Sequence, residues 1–104
     1  MQGAVVGEFC MKLAIDKARS VGVGWVAAHH SNHYGIAGWY AQMAAEQGML
    51  GFSFTNTSPV GVPTRASKPA LGTNPIACAG PTLGEPVVLD MSTTTVLAWP
   101  FFKK

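Results

Sequence analysis

Over residues 4–21 the apolar side chains Val6, Cys10, Leu13, Ala14, Ala18 and Val21 recur at helical spacing, and Gly22 stands where that stripe stops. Glu8 and Lys12, then Lys12 and Asp16, lie four apart on the other face and can support the helix. A glycine just past the last turn is a common helix terminator. Trp25 to Ala28, with Val23 leading in, is short and apolar and reads as a strand. A second helix is predicted over 34–47, capped by Ser31 or Asn32 and stopped by Gly48. Its inner face carries Ile36, Tyr40, Met43 and Ala44. Further strands are expected at Phe52–Thr55, Ile76–Ala79 and Val87–Met91. Helices alternating with strands make the class α/β.

The same boundary disarms a decoy. Gly22-Val23-Gly24-Trp25-Val26-Ala27 matches the glycine pattern of a dinucleotide-binding loop. In that loop the glycines follow a strand and open a helix, so that phosphate meets a helix N-terminus. Here they close a helix and precede a strand. They read as turn glycines, not a Rossmann site.

Thr57 to Asn74 holds Pro59, Pro63, Pro69, Gly61 and Gly72 and reads as a long ordered loop. Loops of that length in compact domains are usually functional. The chain shows no internal repeat and no low-complexity segment.

Composition matters at one point. Charged residues are 12% of the 104, against 48% hydrophobic. Ordinary soluble domains carry about 25% charge. Much of this chain therefore expects to be covered, by the rest of a larger protein or by a partner subunit. The net charge is only +2 and the Lys and Arg residues are scattered, so no basic stripe suggests nucleic acid. Cys10 and Cys78 read as two reduced, buried thiols. No apolar run reaches the roughly 18 residues of a membrane span, and residues 1–10 lack the pattern of a signal peptide. No membrane partner and a cytoplasmic location are expected.

His29, His30 and His33 cluster before the second helix. Four-residue spacing aligns metal ligands only on a helix, and these positions fall at a strand end and a loop, so no metal is expected. His33 at a strand-to-helix junction has two open roles. It caps the helix, or it exchanges a proton with a carbonyl oxygen beside a bound carboxylate. Thr55-Asn56-Thr57-Ser58-Pro59 and Gly72-Thr73-Asn74-Pro75 are rich in small hydrogen-bonding groups. They are either turn chemistry or a cradle for phosphate or ribose. Asp90, before Met91-Ser92-Thr93-Thr94, either accepts ribose hydroxyls or caps a following helix.

Together with Ser31-Asn32-His33-Tyr34-Gly35 and Leu89-Asp90-Met91-Ser92-Thr93, these segments closely resemble the type-2 malate/L-lactate dehydrogenase family, which includes ureidoglycolate and diketogulonate enzymes. Four motifs stand in family order and spacing, and the resemblance runs from about residue 3 to residue 99. It implies a mixed sheet with flanking helices that is not a Rossmann fold, and a homodimer. It also implies hydride transfer between NAD or NADP and a small 2-hydroxy or 2-oxo acid. His33 is then the proton acceptor for the substrate hydroxyl. Thr57, Asp90, Met91, Ser92 and Thr93 fall where the family contacts cofactor. Arg65 and Lys68 are further candidates for a carboxylate or phosphate.

Two departures shape the expectation. The family's N-terminal segment, with a Ser-His-Gly motif and a substrate-holding arginine, has no counterpart here. Residues 1–99 are expected to be the central part of the catalytic domain, and 100–104 a divergent tail. The fold is thus expected to be incomplete. The alternative to a dehydrogenase is a truncated, non-catalytic remnant that binds nucleotide or pairs with a full-length subunit.

Overall fold

The computed structural model describes residues 2–94. The tail at 100–104 and the last residues of the 1–99 unit lie outside the described residues. In chain order the elements are α1 (Gly3–Val21), α2 (Ala37–Ala45), β1 (Gly51–Phe54), β2 (Ile76–Gly80) and β3 (Val87–Met91). The α/β class stands. Expected as part of a mixed sheet, the three described strands pair antiparallel in the order β1-β2-β3.

α1 ends as the sequence predicts. Gly22 takes φ 90°, and its N–H donates to the Ala18 carbonyl at 2.7 Å. Its buried stripe is rotated from the expected one. Ile15 is buried, whereas Val21 is 79% exposed. The reason is that α1 packs on a single element, α2, and much of its apolar surface stays open.

No strand forms at Trp25–Ala28. Apolar side chains favour a strand, but a ladder needs a neighbouring backbone, and none among the described residues pairs with this segment. α2 begins three residues later than predicted and has no cap from Ser31 or Asn32. Gly35 sits at φ 93° and Ile36 is extended (φ −87°, ψ 121°), so the chain cannot be helical before Ala37.

α2 is sandwiched between α1 and the sheet, so its buried surface is wider than one stripe. Ala37, Ala41 and Ala45 meet Ala77 and Ala79 of β2, with Tyr34 packed beside them. Expected inward, Ile36 is 72% exposed instead. On the other side the Tyr40 ring reaches α1, where a Cβ on Gly7 would lie 2.7 Å from it. The helix-to-sheet core is made of methyl groups. At about 0.8 kcal/mol for each buried carbon, five alanines contribute on the order of 4 kcal/mol. The bulky side chains lie on the other face of the sheet. Gly51 and Ser53 face inward, while Phe52 and Phe54 are about half exposed.

Strand register positions the site. Ser53, Ala77 and Asp90 form one cross-strand row on the α2 side. Successive side chains alternate faces, so Leu89 and Met91 are turned away. Asp90 therefore lies against α2.

Candidate active site

The N-terminus of α2 is held by two long-range contacts. The Gly38 N–H donates to Asp90 Oδ2 at 2.7 Å. Tyr34 stacks on Tyr40 with centroids 4.8 Å apart, and its hydroxyl lies 3.0 Å from Ser53 Oγ. Asp90 does cap a helix, but an earlier one, 52 residues back along the chain. Sequence reasoning considered only a following helix, because local capping rules look at neighbours. The carboxylate at a helix N-terminus is favourable on dipole grounds as well.

His33 is exposed, and its Nδ1 accepts the Gly35 N–H at 3.1 Å. A neutral ring accepting at Nδ1 carries its proton on Nε2. Among the described residues Nε2 has no hydrogen-bond partner.

The two polar segments come together. The Thr57 N–H donates to Asn74 Oδ1 at 2.9 Å, joining the two sides of the long loop. Gly72 is packed beneath, where an added Cβ would come within 1.9 Å of Thr57 Oγ1. Midway along the loop, Gly61 and Leu71 form an antiparallel bridge. Ser92 Oγ and Thr93 N–H both donate to the Thr73 carbonyl, at 3.1 and 2.9 Å. Asn74 and Thr73 are the residues that organise this region. Their segment was singled out in the sequence, but not these partners.

These contacts surround one cleft of about 1030 Å³, at the upper end of ordinary ligand sites. His33, Thr57 and Asp90 line it together with Thr73, Asn32 and Asn56. Ser92 and Thr93 stand behind Thr73 and not in the lining. Met91 is on the opposite face of the sheet, 62% exposed. Arg65 and Lys68 are exposed residues of the loop and do not line the cleft. His29 and His30 line it beside His33, yet among the described residues no three His, Cys, Asp or Glu side chains converge to hold a metal. Cys10 and Cys78 are free thiols and half-buried, less covered than expected. No helix among the described residues is long and apolar enough to cross a membrane.

The decoy at Gly22–Ala27 takes no part in the cleft's polar wall. A Cβ on Gly24 would stand 1.8 Å from the Ala14 carbonyl oxygen, so Gly24 serves close backbone packing.

Residues 1–98 match the family model described as malate/L-lactate dehydrogenase. The chain belongs to that family. It is 60% identical over 94 residues to a malate dehydrogenase of Pyrococcus abyssi, covering 90% of this chain and 26% of the relative. The solved malate dehydrogenase of Pyrococcus horikoshii superposes with a TM-score of 0.88 at 57% identity, over 91% of this chain and 27% of that one. The sulfolactate dehydrogenase of Methanocaldococcus jannaschii superposes with a TM-score of 0.87 at 46% identity, over 92% and 28%. The chain thus spans about a quarter of the length of these dehydrogenases.

Proposed function

We propose that this chain forms part of the substrate and cofactor site of a dehydrogenase interconverting a small 2-hydroxy acid and its 2-oxo acid, of malate or L-lactate type. The observation that carries the reading is the convergence of His33, Thr57 and Asp90 on one cleft, although they are 24 to 57 residues apart in the chain. The lining offers small hydroxyl and amide groups, the donors and acceptors that suit ribose and carboxamide, so it fits a nicotinamide nucleotide, NAD or NADP. Once bound, that cofactor supplies the hydride acceptor or donor.

His33 handles the proton. Its Nε2–H hydrogen-bonds the oxygen of the reacting carbon. The exposed ring first takes a proton from solvent at Nδ1, which breaks the contact with the Gly35 amide. The imidazolium then passes its Nε2 proton to the carbonyl oxygen and is left neutral. In the reverse direction Nε2 of that neutral ring accepts the hydroxyl proton. Thr57 and Asp90 hold the cofactor from the lining, while Ser92 and Thr93 fix the Thr73 carbonyl from behind it. The side chain of Met91 faces away. Asp90 has Oδ1 available for a hydroxyl while Oδ2 caps α2. The family's pairing of two copies completes the proposal, and it is supported by the exposed aromatic side chains of β1.

In the protein that carries this sequence, His33→Asn is expected to cut turnover about 100-fold, the ordinary worth of a positioned acid–base group. Stability should hardly change, because the ring is exposed. Steady-state assay of malate, L-lactate and sulfolactate with both nucleotides checks this. Unchanged turnover would leave His33 as a loop-fixing residue only.

A further inference from the structure

His29 and His30 line the cleft and have so far been given no role. Their Nδ1 atoms are 2.6 Å apart, and the rings meet edge to face at 4.8 Å and 81°. Two ring nitrogens that close share one proton, with one donating and the other accepting. Two full imidazolium ions cannot keep this contact, since each would put a proton between the rings. With one net positive charge, the shared proton lies between the Nδ1 atoms and both Nε2 atoms carry N–H. That state is a monocation with two outward donors.

The rest of the cleft gives this pair its importance. Among the described residues its lining contains no Lys or Arg, and the one carboxylate there, Asp90, already accepts from Gly38. Among those residues, imidazoles are therefore the only lining side chains able to carry positive charge. His30 also adopts φ 54°, the left-handed region that non-glycine residues seldom occupy. Strain of that kind tends to be kept where a side chain must be aimed.

We propose that the His29–His30 pair is an oxyanion subsite, binding an acid group remote from the reacting carbon through its two Nε2–H donors. The ligand assignment rests on the dehydrogenase reading of the cleft. Malate and sulfolactate, in the names of the relatives, each carry a second acid group, a carboxylate or a sulfonate. The extra phosphate that NADPH carries on its ribose offers the same chemistry. L-lactate has no second acid group and NADH lacks the extra phosphate of NADPH, so each serves as its own control.

The test is the double variant His29→Gln/His30→Gln in the protein carrying this sequence. If the substrate supplies the oxyanion, kcat/KM for malate falls at least about 10-fold relative to L-lactate, the scale of a lost charged hydrogen bond. If the cofactor supplies it, affinity for NADPH falls by that factor relative to NADH. An equal change with every substrate and both nucleotides, or none at all, overturns the proposal. A second measurement needs neither turnover nor the variant. Ring-nitrogen NMR of the unmodified protein, titrated with succinate and with inorganic phosphate, should show His29 and His30 responding together. Unmoved resonances overturn the proposal. A response without turnover of any 2-hydroxy acid keeps the subsite and defeats the dehydrogenase reading instead.

Discussion

Two concave regions of this molecule are built on opposite principles. The polar cleft is fixed by hydrogen bonds that reach far along the chain: Asp90 to Gly38, Asn74 to Thr57, Thr73 to Ser92 and Thr93. The other region, a groove of about 840 Å³ between α1, the 23–28 segment and β1, is lined by Cys10, Met11, Ala14, Trp25 and Phe52. Its large side chains are unsatisfied. Trp25 is 72% exposed, and its ring stands 5.6 Å from that of Phe54. The cleft's polar wall is held by contacts among the described residues, whereas the groove keeps bulky apolar surface in water. Hydrogen bonds are directional and fix a polar site locally, but apolar surface gains only when something covers it.

The contrast can be broken at the groove first. Gly24→Ala puts a methyl group into the Ala14 carbonyl, and backbone cannot rotate away as a side chain can. A loss of about 3 kcal/mol is expected, the upper end of overpacking costs. Urea denaturation measures it, and NADH affinity of the folded fraction should be unchanged. Intact stability with lost NADH binding would put the 22–27 segment in the cofactor site after all.

At the cleft the expected effect is smaller and double. Asp90→Ala leaves the Gly38 N–H without its acceptor and should cost about 1–2 kcal/mol of stability. It should also weaken nucleotide binding if Oδ1 meets the ribose. Asp90→Asn, which keeps an acceptor, should recover part of the stability. Thermal melts alongside NADH titrations separate the two losses. A variant with lower affinity and an unchanged melt would mean that the cap carries no weight.

The smallest effect lies at Tyr40, which lines the groove and stacks on Tyr34, a residue that lines both regions. Burial first, and then Tyr34 and Glu8, raise its pKa above the ordinary value of 10.0. Because the folded state holds the proton longer than the unfolded one, stability is full below pH 10 and falls as pH rises through the folded pKa. With only Tyr34 and Tyr40 in the chain, tyrosinate absorbance of Tyr34→Phe isolates the group. Ionisation of Tyr40 at the ordinary value, without loss of structure, would show the groove's wall to be wet.

Helix and strand periodicity made most of the fold legible. α1 and β3 fall where the pattern places them, β1 and β2 within a residue, and Gly22 caps α1. α2, by contrast, ends at Ala45, two residues short of its expected end, and Gly48 closes the turn that follows. The misses differ in cause. Trp25–Ala28 has the side chains of a strand and lacks a partner among the described residues, which depends on neighbours far along the chain. α2 starts late for a local reason, the non-helical angles of Gly35 and Ile36 next to the contact of the Gly35 N–H with His33 Nδ1. In the site, His33 and the polar segments were visible as residue types, while His29 and His30 were visible only as members of a histidine cluster and their contact was not.

What the sequence determined by itself is the set of elements, the order that rules out a Rossmann loop, and the four ordered motifs that mark the family. Local periodicity and residue type carry that information because helices and turns are governed by near neighbours. Only the tertiary structure decided that Asp90 caps α2, that Asn74 binds Thr57, and that Met91 faces away from the cleft. Those facts follow from antiparallel register, in which a shift of one residue exchanges the two faces of a strand. No local pattern encodes that register. The packing of α2 against the sheet sets it.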